Sequence, residues 1–185
     1  MAKRRRLNRE AVIVQAATMS DEAGAVSAVS LTALAQALEI RPPSLYNHVD
    51  GVEDLRYGLT IYGLRQLIFE LRQASQGLVG REALMAIAGA YRRFAHNHPG
   101  LYPLLIRAPE PDEVELAALA EELLQMLLLL MASLGQQGDD ALHAIRGLRA
   151  ILHGFASLEA AGGFKMDLER EESFRRLVGG YLSLL

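Results

Sequence analysis

Hydrogen-bonding side chains are concentrated in the short segment "RPPSLYNH", residues 41–48. Guanidinium, phenol and imidazole groups donate hydrogen bonds to anionic oxygens, and an amide offers a donor and an acceptor side by side. A helix that served only the protein core would carry few such groups, because buried polar side chains need partners. The segment therefore predicts a surface that meets a hydrated, hydrogen-bonding partner. The side chains concerned are Arg41, Ser44, Tyr46, Asn47 and His48.

A second polar group, His96, His98, Glu110 and Asp112, has the residue types of an acid/base or metal site. The two histidines lie two positions apart at a predicted helix end, so they diverge on a regular helix. The chain has no Cys, which excludes disulfides, thiolate ligands and a Cys nucleophile. It also lacks a P-loop, a nucleophile elbow and a Rossmann glycine pattern. We predict no catalytic residue, no metal and no cofactor, and keep a small helical enzyme and a helical adaptor as alternatives.

Three short helices are predicted to position the polar segment. Asn8 and Ser30 are predicted N-caps, and Pro42 and Pro43 stand where the first turn of a helix has no N–H bond to lose. A short turn separates the second and third helices, which is the geometry of a helix-turn-helix. The predicted helices cover residues 9–22, 31–39 and 44–48, and a long helix follows over 52–74.

The third predicted helix has two different faces. Leu45 and Val49 have i, i+4 spacing and predict its inward face, opposite Leu34, Ala35 and Leu38 of the second helix. The polar side chains of the third helix then point away from that core. The major groove of DNA is a hydrated surface of hydrogen-bond donors and acceptors, and it suits such a face.

The rest of the chain is also predicted to be helical, with Gly- or Pro-containing joints between the helices. We therefore predict an all-α protein of about nine helices. Residues 1–55 form a three-helix helix-turn-helix domain with a basic arm, and residues 56–185 form a helical effector-binding and dimerisation domain. The remaining predicted helices cover residues 80–97, 101–107, 112–134, 139–161 and 167–185.

Positive charge is concentrated at the start of the chain. The net charge of −3 argues against a wholly basic nucleic-acid binder, but residues 1–9 hold five basic side chains and no acid. This arm, Lys3, Arg4, Arg5 and Arg6, is predicted to enter the minor groove or to attract phosphates without sequence preference. No apolar segment of a secretory signal follows it, and the longest apolar run is too short to span a bilayer. We expect a cytoplasmic protein with no membrane partner.

The segment "SLTALAQALEIRPPSLYNHVDGVEDL", residues 30–55, resembles the helix-turn-helix of the TetR family of bacterial repressors. A second segment, "ILHGFASLEAAGGF", residues 151–164, resembles the WHG-type C-terminal ligand-binding domain of a TetR subgroup. The residues that match the family's Leu-Tyr-x-His-[Phe/Val] pattern are Leu45, Tyr46, His48 and Val49.

The sequence departs from the family pattern at two positions. Glu39 stands in the turn where Gly is frequent, and Val52 stands at the start of the fourth helix where Lys is common. Loss of that Lys removes one phosphate contact, which places more weight on the backbone N–H groups of Gly51 and Val52.

The resemblance implies a ligand-responsive DNA-binding transcriptional regulator, a repressor released from a palindromic operator by a small, largely apolar effector. Its partners are then double-stranded operator DNA, that effector and a second copy in a homodimer. Tyr46 and His48 take the place of the family's phosphate-contacting pair. The base-reading side chains are predicted to be Arg41, Ser44 and Asn47, with Ser30 and Thr32 contacting a phosphate unless Ser30 only caps its helix.

The resemblance also assigns roles to the distal helices. Small residues permit close approach of two helices, and large apolar residues fill the space between them. Unless the two helices only cover the core of a single chain, the predicted dimer interface is Gly147, Ala150, Gly154, Phe174, Leu177, Val178 and Tyr181. The predicted effector site is Tyr62, Phe69, Tyr91, Phe94, Tyr102, Met126 and His143, although such residue types at helical spacing more often pack in a core than contact a ligand.

Overall fold

The computed structural model describes residues 7–185, and this range contains eight α-helices and no β-strand. Two short 3₁₀ helices, Val26–Ala28 and Tyr102–Leu105, add to them, so the all-α prediction is confirmed and the predicted number of about nine helices is close. The helices are α1 (Arg9–Ala23), α2 (Leu31–Ala37), α3 (Pro42–Leu45), α4 (Val52–Ser75), α5 (Gly80–Asn97), α6 (Val114–Ala132), α7 (Gly138–Ala160) and α8 (Arg170–Leu182).

Local signals set the starts of the first helices. The Asn8 side chain accepts a hydrogen bond from Ala11 N at 2.8 Å, and Ser30 Oγ accepts one from Ala33 N at 3.1 Å, so both predicted N-caps are confirmed. Helix α2 ends earlier than predicted because the backbone turns left-handed at Glu39, whose φ is 55°. Helix α3 begins at Pro42 rather than at residue 44, and hydrogen-bonded turns continue it to Val49.

The chain divides into two compact units. The first comprises Met1–Gln66 and Asn97–Ala117, and the second comprises Leu67–His96 and Ala118–Leu185. The division falls within α4, whereas the sequence predicts a functional boundary at residue 55. The functional assignment of the two parts stays a prediction.

The core of the first unit fixes the short α3. Leu45 and Val49 are only 1% and 2% exposed, as their i, i+4 spacing predicts. Full burial of such side chains stabilises a fold by about 1.5–3 kcal/mol each. Leu38, also predicted to face inward, is half-buried. The buried residues of this cluster are Val12, Ile13, Ala16, Ala17, Leu34, Leu45, Val49, Leu55, Leu59 and Leu101.

The turn after α5 is tied to the end of α1 in the same unit. Asp21 Oδ1 accepts hydrogen bonds from Gly100 N and Leu101 N at 3.1 and 3.2 Å, and Asp21 Oδ2 lies 2.7 Å from His98 Nδ1. A Cβ atom at Gly100 would lie 2.2 Å from the Ser20 carbonyl oxygen, so only glycine allows this approach. His98 therefore takes part in a structural contact, and no group of three His, Asp or Glu residues within 7–185 is arranged to hold a metal ion.

The second unit is built around α5, α7 and α8. Arg92 of α5 donates two hydrogen bonds of 2.8 Å to Glu159 of α7 and one of 2.6 Å to Glu171 at the start of α8. Its guanidinium also lies 5.1 Å from the ring centre of Phe155 and 4.9 Å from that of Phe174. The buried core around them is Leu84, Ala88, Met131, Ala141, Ala144, Leu148, Leu152, Phe155, Phe174, Val178 and Leu182.

The long helices do not have the composition of membrane spans. Across residues 7–185, no helix is both long enough and apolar enough to cross a bilayer.

Candidate DNA-binding site

The candidate site is built on α2, the following turn and α3. Pro42 and Pro43 open α3, where the missing N–H groups cost nothing, and Ser44 N donates to the Arg41 carbonyl oxygen at 2.8 Å. At the other end, His48 N and Val49 N both donate to the Leu45 carbonyl oxygen, at 2.9 and 3.1 Å. The segment is short, but its backbone is hydrogen-bonded at both ends.

The polar side chains of this segment lie on its outer surface. Tyr46 is 58% exposed, Arg41 and Asn47 are also exposed, and Ser44 and His48 are half-buried. The buried Leu45 lies between them in sequence and holds the helix to the core. The arrangement presents a phenol, an amide and a guanidinium to solvent on a fixed backbone.

The start of α2 adds two hydroxyl groups. Ser30 and Thr32 are both exposed. The hydrogen bond from Ala33 N to Ser30 Oγ confirms the capping role of Ser30. The hydroxyl hydrogen of Ser30 remains a donor, so capping and a phosphate contact are compatible.

Arg9 joins α1 to both ends of the turn that follows α3. Its Nη1 and Nη2 atoms donate to the two Asp54 carboxylate oxygens at 2.6 Å each, and Nη1 also donates to the His48 carbonyl oxygen at 2.9 Å. Asp54 Oδ2 further accepts from Asp50 N at 2.8 Å. The hydrogen bonds from Arg9 lower the pKa of Asp54 below its usual value of 3.8, and those to Asp54 raise the pKa of Arg9.

Sequence reasoning missed this ion pair. From the sequence, Arg9 belongs to the basic start of the chain and opens the first predicted helix, where a positive charge opposes the helix dipole. That unfavourable position was the available signal that Arg9 has a tertiary partner. Asp54 gave no such signal, because an acid in the first turn of α4 is favourable in any case.

Comparisons with known proteins agree with this architecture. A family model described as "Tetracyclin repressor-like, C-terminal domain" matches residues 84–181. The uncharacterized HTH-type transcriptional regulator Rv0681 of Mycobacterium tuberculosis is 34% identical over 179 residues, which cover 96% of this chain and 81% of that protein. The uncharacterized HTH-type transcriptional regulator YobS of Bacillus subtilis is 32% identical over 184 residues, which cover 99% of this chain and 95% of that protein. The chain belongs to the TetR family of transcriptional regulators.

A solved structure supports the fold of this TetR-family regulator. PfmR, a TetR family transcriptional regulator from Thermus thermophilus, has a TM-score of 0.66 and 23% identity, with 93% of this chain and 97% of that chain covered. Because the relatives are transcriptional regulators, the prediction of a regulator rather than an enzyme is confirmed. The matched C-terminal family model spans residues 151–164 but is not described as WHG, so that finer resemblance stays a prediction.

The residues predicted to bind an effector of this TetR-family regulator do not form one group. Tyr62 and Tyr102 belong to the first unit, where Tyr62 packs against the buried cluster and Tyr102 is 8% exposed. In the second unit Phe94 is buried, whereas Tyr91 and Met126 are half-buried. Phe69, at 59%, and His143 are exposed positions of the second unit. Their exposure argues against a role in enclosing an effector.

The residues predicted to form the dimer interface also divide into two groups. Phe174 and Val178 are 3% and 0% exposed within a single chain, so they support α8 from inside and have no surface to offer a partner. Gly147 is covered by Tyr181, whose hydroxyl donates to the Ala144 carbonyl oxygen at 2.8 Å. The exposed or open positions are Ala150, Gly154 and Leu177, together with Leu142 and Leu158, which are not among the predicted residues.

The basic arm Lys3, Arg4, Arg5 and Arg6 lies outside the described residues.

Proposed function

We propose that this TetR-family regulator is a repressor that binds a palindromic operator as a homodimer and releases it when a small, largely apolar effector binds. The observation that carries DNA binding is the pairing of buried Leu45 and Val49 with exposed Tyr46 and Asn47 on one short, well-anchored segment. A polar face of this kind on a helix-turn-helix is suited to the major groove.

In this proposal, different side chains contact the DNA phosphates and the DNA bases. Tyr46 and His48 donate to phosphate oxygens and fix the register of the protein on DNA without reading sequence. Arg41 suits the O6 and N7 acceptors of guanine, and Asn47 suits the N6 and N7 groups of adenine. The further contacts proposed are a base contact by Ser44, phosphate contacts by Ser30 and Thr32, and electrostatic attraction by Lys3, Arg4, Arg5 and Arg6.

A palindromic operator requires two copies related by a two-fold axis, with recognition segments about 34–36 Å apart. We place the interface on the exposed faces of α7 and α8. The support is apolar exposure on both helices together with an open glycine on α7: Leu142, Leu158 and Leu177 are 41%, 53% and 42% exposed, and no atom lies within 4 Å of a Cβ built at Gly154.

We place effector binding in the second unit, around Tyr91, Phe94 and Met126. These side chains are apolar or aromatic and are buried or half-buried, which suits an effector with little charge. An effector that prefers one conformation of the dimer shifts the population that is competent for DNA, by as much as its difference in affinity for the two conformations.

The test begins with the full-length protein and sheared genomic DNA of its own organism. Fragments enriched by binding are shortened to the protected site, and affinity is measured by fluorescence anisotropy at two salt concentrations. We expect a palindromic site, a two-to-one ratio of protein to duplex and an affinity that falls steeply with salt. A scrambled duplex of the same composition is the control, and equal affinity for both duplexes would contradict the proposal. Organic extracts of the purified protein, analysed by mass spectrometry, then supply the first effectors to test.

A further inference from the structure

A cleft with a volume of about 780 Å³ opens within the first unit. One wall is a face of α4, on which Glu53, Arg56, Tyr57 and Thr60 follow the i, i+3, i+4, i+7 spacing of neighbouring helical side chains. The opposite wall comes from the chain that follows α5, residues 103–113. None of the residues to which a DNA, effector or dimer contact was assigned lines this cleft.

The charge of the cleft is negative. Four carboxylates and two guanidinium groups line it, namely Glu53, Asp54, Asp112 and Glu113 against Arg56 and Arg107. Arg9 holds Asp54 from outside the cleft, and Arg107 holds Glu113 through two hydrogen bonds, one of them 2.6 Å long. The hydrogen bonds from Arg107 lower the pKa of Glu113 to about 2, so this carboxylate is ionised and already compensated.

The two remaining carboxylates are not compensated in this way. Within residues 7–185, neither Glu53 nor Asp112 has an ion-pair partner within 4.0 Å. Both are exposed, so their charges are hydrated and available to a ligand. An incoming cation would meet two carboxylates outside any ion pair against one such guanidinium, that of Arg56, although the Asp112 charge also attracts Arg107.

Apart from Thr60, whose hydroxyl donates to the Arg56 carbonyl oxygen at 2.9 Å, the uncharged part of the lining is apolar or aromatic. Pro103, Leu104 and Ile106 form it on one wall, with Ile106 40% exposed, and the half-buried Tyr57 ring forms it on α4. An aromatic ring attracts a cation placed over its face, and apolar side chains favour a hydrocarbon group removed from water. A volume of this size matches the range of about 300–1,000 Å³ that holds small ligands.

We propose that this cleft binds an organic cation, a molecule that joins an ammonium or amidinium head to an apolar group. Glu53 and Asp112 attract the head, and Tyr57, Leu104 and Ile106 contact the apolar part. The site is separate from the effector site proposed in the second unit. It does not depend on DNA binding, so the two proposals fail or succeed independently.

The test uses three compounds that share one apolar group and differ only in the head: 4-phenylbutylammonium, 4-phenylbutanol and 4-phenylbutyrate. Each is titrated into the full-length ¹⁵N-labelled protein, and amide chemical shifts locate the site. We expect saturable binding of the ammonium compound with a Kd of about 1 mM or below, and shifts centred on Thr60, Leu104 and Ile106. The alcohol is expected to bind at least about tenfold more weakly, and the carboxylate not measurably, because two free carboxylates face the head.

Matched variants separate this site from general surface charge. Glu53→Gln combined with Asp112→Asn should weaken the ammonium compound by about tenfold and leave the alcohol unchanged. Glu82→Gln combined with Asp139→Asn is the control, since it removes two exposed acids from first turns of α5 and α7. Equal binding of the three compounds, shifts confined to the second unit, or equal losses in both double variants would each overturn the proposal.

Discussion

Arg9 and Asp54, 45 residues apart in sequence, form a two-pronged ion pair of 2.6 Å per hydrogen bond, and the same guanidinium binds the His48 carbonyl oxygen. One side chain thereby connects three places: the first turn of α1, the first turn of α4, and the end of residues 41–48, which are called the recognition segment below. Asp50 N donates to the same Asp54 carboxylate, and this hydrogen bond links the turn after residue 48 to the first turn of α4. The pair therefore positions the backbone beside Tyr46, Asn47 and His48.

The first prediction is that weakening this ion pair reduces DNA affinity more than stability. Asp54→Asn removes the charge, and Arg9→Lys removes the forked geometry that binds two oxygens at once. Because the pair is partly exposed, we expect losses of about 1 kcal/mol or less in the free energy of unfolding. Operator affinity, measured by anisotropy, should fall severalfold in both variants because the recognition segment loses its anchor.

Glu115→Gln is the matched control for this prediction. It breaks the Arg65–Glu115 pair, which is 2.5 Å long and exposed in the same unit but does not contact the recognition turn. Glu115 also attracts Arg9 through space, but more weakly than Asp54 does, so the operator affinity of this variant should stay close to that of the wild type. If Glu115→Gln and Asp54→Asn weaken DNA binding equally, Arg9 and Asp54 have no specific positioning role.

The second prediction separates phosphate contacts from base contacts on the recognition segment. Tyr46→Phe and His48→Ala each remove a donor from a side chain that is exposed or half-buried, so binding should weaken by a similar factor on all operator variants. Asn47→Ala should instead relax the preference at individual base pairs, by about 1–3 kcal/mol each. Gln76→Ala, an exposed turn residue of the second unit, is the control. Wild-type affinity in both Tyr46→Phe and His48→Ala would refute the phosphate assignment.

Sequence reasoning succeeded where the signal is local. The caps at Asn8 and Ser30, the prolines that open α3 and the i, i+4 spacing of Leu45 and Val49 each depend on neighbours within a turn or two. The Arg9–Asp54 and Arg92–Glu159 pairs join residues far apart in sequence, and the spacing of residues along a helix does not predict such long-range contacts. Helix α8 shows a second limit. Leu177 and Val178 are adjacent and both apolar, yet one is 42% exposed and the other fully buried, so composition does not tell which apolar face is the core.

The third prediction concerns the strained turn before α3. Glu39 has a φ of 55°, a left-handed conformation that costs a side-chain-bearing residue about 1–2 kcal/mol. Glycine avoids that cost, but its greater backbone freedom in the unfolded chain lowers the free energy of unfolding by about 0.5–1 kcal/mol. Glu39→Gly should therefore stabilise the protein by up to about 1 kcal/mol in urea unfolding. Gln36→Gly, at a helical position of α2, should destabilise it by about 1 kcal/mol. Equal losses in both variants would show that the Glu39 conformation is not strained.

The fourth prediction distinguishes two glycines of α7. A Cβ at Gly147 lies 2.3 Å from Tyr181 Oη, whereas one at Gly154 meets no atom within 4 Å. Gly147→Ala should push the Tyr181 ring from its place, break its hydrogen bond to the Ala144 carbonyl and cost about 1–3 kcal/mol of stability.

Gly154→Trp should leave the folded chain intact, as shown by circular dichroism, but give a monomer in light scattering and abolish operator binding. A dimeric Gly154→Trp would remove this face of α7 from the proposed interface.

The last prediction concerns the pH dependence of the contact between Arg92 and Glu159. Both side chains are about 15% exposed, and the hydrogen bonds from Arg92 lower the pKa of Glu159 below its usual 4.5. A lowered carboxyl pKa in the folded state means that the stabilisation is present above pH 4.5. It is lost as the pH falls through the lowered value, where Glu159 takes up a proton. Glu159→Gln should cost about 1.5–3 kcal/mol at neutral pH, the range for hydrogen bonds to charged groups. Its difference from wild type should shrink steadily in urea titrations below pH 4.5.

Arg93→Gln, which changes the exposed neighbour of Arg92, should differ little from wild type at any pH. A pH-independent cost of Glu159→Gln would mean that packing against Arg92, rather than its charge, accounts for the stabilisation.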